Sequence, residues 1–139
     1  MLEQYADANY WFALFVPKDQ LHRQAREAAA NVPAGCRVVT SALVIIEVLN
    51  GLSRELPEVK RRAVLFFESL HLRPEFVVIP FSTTLYERAL ALYLQSTDKD
   101  WGLVDCYSFI IMRDRKIHSA LTHDRHFEQA GFRALLRET

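Results

Sequence analysis

Short runs suited to β-strands alternate with longer stretches of helical pattern along this chain, and that alternation limits the fold more than any other feature. The strand candidates are Leu2 to Ala6, Arg37 to Thr40, Phe76 to Pro80 and Ser119 to Thr122, with a fifth at Phe132 to Leu135. Helical patterning covers Asn9 to Phe15, Gln20 to Asn31, Ser41 to Arg54, Pro57 to Leu72, Ser82 to Leu94, Gly102 to Arg115 and Arg125 to Ala130. Strands separated by helices cannot pair through tight hairpins. They call for a parallel sheet with right-handed crossovers, an α/β architecture. Local chemistry agrees at several boundaries: Ser41 or Thr40 suits a helix N-cap, Pro57 a first helical turn and Gly131 a C-cap. The first strand fits the pattern least, because Glu3 and Gln4 interrupt it.

A chain of 139 residues that is 50% hydrophobic can bury one substantial core. With only four glycines and five prolines, all scattered, nothing marks a linker, so residues 1–139 are expected to form a single domain. The longest apolar run, Ala42 to Ile46, is too short to span a bilayer, and the first residues show no basic segment followed by an apolar one. The expectation is a cytoplasmic protein without a membrane segment. Cys36 and Cys106 sit among apolar neighbours like small core residues, and a lone disulfide is the less favoured alternative. Lys plus Arg (17) equals Asp plus Glu (17), which argues against a scaffold that binds nucleic acid by charge alone. The local basic groups Lys60-Arg61-Arg62 and Arg113, Arg115 and Lys116 read as solvated helix surface.

Four carboxylates, Asp7, Glu47, Asp105 and Asp124, lie in apolar sequence. A carboxylate taken out of water needs a local cap, a basic partner or a cation, and no Lys or Arg is interleaved with these in their apolar runs. Asp7 and Asp124 follow strands, Asp105 lies in the first turn of a helix, and Glu47 lies about two turns into another. Ligands of parallel sheets collect at the carboxyl ends of strands, so all four can meet on one rim. Each also has a simpler explanation. Asp7 and Asp124 could be N-caps, and Asp105 could answer a helix dipole. Glu47 is harder to explain so, because apolar residues flank it on every side and the helix offers little solvent to any face. Oxygen donors select a hard cation, Mg²⁺ or Mn²⁺, over zinc. His118, His123 and His126 lie near the same rim, and His123 with His126 could share a helix face, but nothing has zinc-finger spacing. Nucleophile-elbow, phosphate-loop and dinucleotide motifs are absent from the sequence.

In order along the chain stand Asp7-Ala8-Asn9; Thr40 through Glu47-Val48-Leu49-Asn50; Asp98-Lys99-Asp100-Trp101-Gly102-Leu103-Val104-Asp105-Cys106 with Ser108-Phe109; Ala120-Leu121-Thr122-His123-Asp124-Arg125-His126-Phe127; and Ala130-Gly131-Phe132. Through these segments the chain resembles the PIN-domain ribonucleases, and among them the toxin subunits of VapBC-type toxin–antitoxin pairs. The resemblance implies a five-stranded parallel sheet flanked by helices. It carries Asp7, Glu47, Asp105 and Asp124 onto an acidic catalytic and metal-binding quartet, with Asp98 as an accessory acid and Asn9 and Thr122 as supporting polar groups. Ala8 stands where the family often has Thr, and the first strand is more polar than the family pattern.

The implied activity is hydrolysis of RNA phosphodiester bonds with one or two Mg²⁺ or Mn²⁺ ions, with Lys99 and Arg125 as candidate contacts to the RNA backbone. An antitoxin partner and a homodimer are implied by resemblance. The aromatic run Tyr10 to Phe15 reads first as core. Three alternatives stand beside this reading: a PIN nuclease of housekeeping RNA processing without an antitoxin, a nuclease fold that only binds partners, and a receiver-like signalling module. The last needs an adjacent acidic pair after the first strand and a Lys at the final one, and Asp7 stands alone.

Overall fold

The computed structural model describes residues 2–138. Five strands, β1 (Glu3–Ala6), β2 (Arg37–Ser41), β3 (Phe76–Ile79), β4 (Ser119–Leu121) and β5 (Arg133–Ala134), form one sheet in the order β3-β2-β1-β4-β5. Every pairing is parallel, as strands joined through helices require. The helices are α1 (Ala8–Phe15), α2 (His22–Ala30), α3 (Ala42–Gly51), α4 (Pro57–Ser69), α5 (Thr83–Gln95), α6 (Leu103–Arg115) and α7 (Arg125–Gln129). The chain winds from β1 outward to β2 and β3, then crosses back to β4 and β5. Right-handed crossovers put the helices of those two journeys on opposite faces. Packing follows that division: α1 lies against α2, α3 and α4, and α6 against α5 and α7.

Helix ends fall close to their sequence signals. Ser41 Oγ accepts the Val44 N–H (3.1 Å) as the N-cap of α3, Pro57 opens α4, and Gly131 follows α7 with φ +96. The last turn expected in α4 tightens into a 3₁₀ turn, Leu70–Leu72. α3 stops at Gly51, where a β-carbon would meet the Phe12 ring at 3.3 Å, so glycine permits the close approach of α1.

The aromatic run of α1 is core. Trp11 is buried against Phe66, Phe67 and Phe76, with ring centroids 5.5 to 6.2 Å apart. Its indole Nε1 donates to Thr40 Oγ1 (3.2 Å), whose hydroxyl donates to Ala6 O (2.9 Å). The polar start of β1 also has its reason. Glu3 receives two bonds from Arg115 (2.9 and 3.0 Å) and one from Arg37 (2.7 Å), so the central strand carries a paired charge. Both Cys36 and Cys106 are buried free thiols. No helix among the described residues is long and apolar enough to cross a membrane.

Candidate active site

The sheet fixes the first two site residues. Ala6 lies opposite Leu121, so Asp7 and Thr122 leave β1 and β4 side by side, and the Asp7 N–H still donates to Leu121 O (3.2 Å). Here the crossovers diverge to opposite faces, opening a crevice at the carboxyl ends of the strands.

Thr122 is fully buried and its hydroxyl is saturated. It donates to Asp7 Oδ2 (3.0 Å) and accepts from Asn9 Nδ2 (3.0 Å) and from the Asp124 N–H (3.1 Å). Asn9 Oδ1 in turn accepts the His123 N–H (3.1 Å). These bonds clamp the turn after β1 to the turn after β4. Asp124 Oδ1 caps α7 by accepting the His126 N–H (2.9 Å). Asp105 Oδ2 accepts the Gly102 N–H at the start of α6 (3.0 Å) and lies 3.0 Å from His126 Nδ1, which is also 3.2 Å from Asp124 Oδ1.

The simpler explanations thus hold in part. Asp105 and Asp124 do serve their helix ends, each with a single oxygen in those bonds. Asp7 makes no capping bond to its helix beyond the first turn's entry, and its carboxylate turns to Thr122.

The carboxylates act on one another. Burial pushes Asp7 up to about 7; the Ala8 N–H and Thr122 hydroxyl pull against it, while Asp105 and Glu47 add to the rise. Asp105 is raised by burial and by Asp124, with the Gly102 N–H and His126 opposing. Glu47 is raised by desolvation and by Asp105 and Asp124. Asp7, Glu47 and Asp105 thus each feel the charge of another member of the quartet. One expectation needs correction: α3 does not shield Glu47 from solvent. Glu47 is exposed, as are Ile46 and Asn50, because the turn of α3 that carries it faces outward over the crevice rather than into the core.

The accessory residues divide. Asn9 and Thr122 belong to the clamp. Asp98 stands apart in the loop between α5 and α6, where it is exposed and held by its neighbour Lys99 (3.3 Å). Arg125 lies exposed in the first turn of α7. Sequence reasoning missed this role of His126, weighing it with His118 and His123 for zinc alone. A signal existed: an Asp N-cap bonds the N–H two residues on, so Asp124-Arg125-His126 already makes the imidazole a neighbour of the carboxylate.

One donor atom each from Asp105, Asp124 and His126 lie within 4.8 Å of one another. With carboxylate oxygens in the majority and like charges raising each other's proton affinity, this donor set fits a hard divalent cation.

Comparison with known proteins agrees with this architecture. The 23S rRNA-specific endonuclease VapC20 of Mycobacterium tuberculosis is 28% identical over 128 residues, spanning 92% of this chain and 94% of that protein. Its crystal structure, described as a sarcin–ricin loop cleaving toxin, superposes with a TM-score of 0.80 at 27% identity, over 92% of this chain and 95% of that one. FitAcB from Neisseria gonorrhoeae shares the fold at a TM-score of 0.62 and 18% identity, over 94% of each chain. A toxin–antitoxin complex from Klebsiella pneumoniae gives 0.61 at 19% identity, over 88% and 87%. Residues 5–133, from the middle of β1 into β5, match the PIN domain, which sets aside the receiver-like alternative. With its parallel sheet, its acidic crevice between β1 and β4 and this match over nearly its whole length, the chain belongs to the PIN-domain family.

Proposed function

We propose that this protein is a divalent-metal-dependent ribonuclease and the toxin of a VapBC-type toxin–antitoxin pair. The observation that carries the reading is the convergence of Asp7, Glu47, Asp105 and Asp124 on one crevice, close enough that each raised carboxyl feels another of the set. Asp7, Asp105 and Asp124 would hold the ion or ions, with Glu47 reaching from the open side. Bound there, one or two Mg²⁺ or Mn²⁺ ions would supply a hydroxide-like water and neutralise charge on the scissile phosphate. Thr122 and Asn9 aim the Asp7 carboxylate and keep it from rotating, the work of outer-shell partners. The Asp105 oxygen tied to Gly102 fixes its orientation in the same way. Lys99 and Arg125, both exposed, would receive the RNA backbone.

Similarity to VapC20 supports RNA as substrate, a ribosomal stem-loop as the first one to test, and a cognate antitoxin as partner. The exposed apolar residues Tyr86, Leu90, Tyr93 and Leu94 on α5 support a homodimer.

The test is direct. Purified protein should cleave a structured ribosomal RNA fragment with Mg²⁺ or Mn²⁺ and stop in EDTA, and Asp7→Asn and Asp105→Asn should each slow cleavage by orders of magnitude in a folded protein. Cleavage undiminished in both variants overturns the assignment. Induction in cells should arrest growth, and Asp124→Asn or co-expression of the protein encoded by an adjacent small gene should relieve the arrest. Healthy growth with demonstrably active enzyme present would favour the housekeeping nuclease.

A further inference from the structure

The acidic quartet leaves one group in the crevice without a role. His126 comes from the second position of α7, and its backbone N–H is tied to Asp124 Oδ1, so the ring is carried by the same short turn that carries a carboxylate. The buried Phe127 beside it anchors that turn in the core against Phe109. Its Nδ1 stands 3.0 Å from Asp105 Oδ2 and 3.2 Å from Asp124 Oδ1. Those spacings carry information. An octahedral ion with bonds of about 2.1 Å separates neighbouring donors by about 3.0 Å. The His126 nitrogen therefore stands from each carboxylate oxygen at about the separation of adjacent corners of one coordination octahedron, and all three donors lie within 4.8 Å of one another.

We propose that His126 Nδ1 is a direct ligand of the ion held by Asp105 and Asp124, and that this single nitrogen makes the centre prefer Mn²⁺ to Mg²⁺. The inference rests on the metal-dependent reading above. In the neutral tautomer with its hydrogen on Nε2, the imidazole presents the Nδ1 lone pair to the space between the two carboxylates. Nitrogen donors favour transition ions over Mg²⁺, which binds oxygen and releases water reluctantly. The rival role is an outer-shell one, with an Nδ1–H hydrogen bond steadying the carboxylates. The two differ in what they predict. An orienting hydrogen bond strengthens both ions alike, whereas ligation strengthens Mn²⁺ selectively.

The experiment binds Mn²⁺ to the wild-type protein and reads the electron spin echo for modulation from a directly coordinated nitrogen, then measures Mn²⁺ and Mg²⁺ dissociation constants for wild type, His126→Gln and His126→Ala. The expected result is nitrogen modulation in wild type and its loss in both variants, with the Mn²⁺-to-Mg²⁺ affinity ratio falling about tenfold. The spectroscopic reading needs no variant, so it stands even if one fails to fold. Bound Mn²⁺ without nitrogen modulation, or variants that weaken both ions by the same factor, would overturn the ligand assignment while leaving the metal site in place. No Mn²⁺ binding at all, or binding indifferent to Asp105→Asn, would overturn the metal-dependent reading and this inference with it.

Discussion

Replacing Asp7 with Asn should make the metal-free protein more stable at neutral pH, even though it removes a carboxylate of the proposed metal site. Asp7 is only 6% exposed, and burial with the charges of Asp105 and Glu47 lifts its carboxyl from an ordinary value of 3.8 to about 7. A carboxyl whose folded value is raised contributes its stability below the unfolded value and loses it as pH climbs through the folded one. The difference of about 3 pH units corresponds to roughly 4 kcal/mol in full, more than half of which falls between pH 5 and pH 8. Asparagine at the same place can still accept the Thr122 hydroxyl hydrogen bond, so little else changes. Asp105 and Glu47 lean the same way and persist in the variant, so the difference between the two proteins reports Asp7 together with its coupling to them. Urea unfolding of both proteins in EDTA at several pH values is the assay, with the stabilities extrapolated to water. The wild type should fall more steeply from pH 5 to pH 8, and the curves should cross toward the variant's advantage. Parallel curves, within about 0.5 kcal/mol across that range, would refute the raised carboxyl and with it the claim that these acids crowd one another.

Mn²⁺ at a hundred times its dissociation constant should stabilise the wild type by about 2.7 kcal/mol and Asp105→Asn by much less, read as the shift of thermal melts between EDTA and excess ion. Thr122→Val removes the hydroxyl that joins Asp7, Asn9 and Asp124, and should weaken metal binding about 10- to 100-fold in calorimetric titration while leaving the protein folded. Glu3→Gln should cost about 1 to 3 kcal/mol by chemical denaturation, since it deprives Arg37 and Arg115 of their shared anion. Its pH dependence has the opposite sign to that of Asp7: the two arginines hold Glu3 below the usual carboxylate range, so its contribution is present above the unfolded value and lost on acidification.

The fold was legible because its signals are local. Runs of β-forming residues, an N-cap at Ser41, a first-turn proline at Pro57 and the positive φ of Gly131 each act within a few residues, and each boundary fell within a residue or two except where α3 and α4 end early. The polar first strand was opaque for the opposite reason. Glu3 is balanced by arginines 34 and 112 positions away, and no window of sequence contains them together. The same distinction governs the site. Asp7, Thr122 and Asp124 follow strands and could be placed from sheet geometry, whereas the outward turn of α3 that exposes Glu47 depends on how α1 and α4 pack. Asp98 and Lys99 resolve into a local pair. His126 went unassigned because its importance lies in a distance to Asp105, which belongs to another helix.

The clamp between Asp7 and Thr122 joins residues 115 positions apart, and this sets the order in which the molecule can become competent. As the chain is made, β1 first acquires β2 on one side, and β3 then extends the sheet on that same side. The other edge of β1 stays open until Ser119–Leu121 has emerged and slid into register beside Tyr5 and Ala6. Until then Asp7 has neither its hydroxyl donor nor the carboxylate of Asp124 across from it, and Asp105 has no imidazole to meet. Pairings between distant segments form slowly compared with local ones. A nascent or truncated chain that stops short of β4 lacks Thr122, Asp124 and His126 and therefore has no assembled crevice. For the ribonuclease toxin proposed above, the topology itself delays the hazard until synthesis has passed the fourth strand.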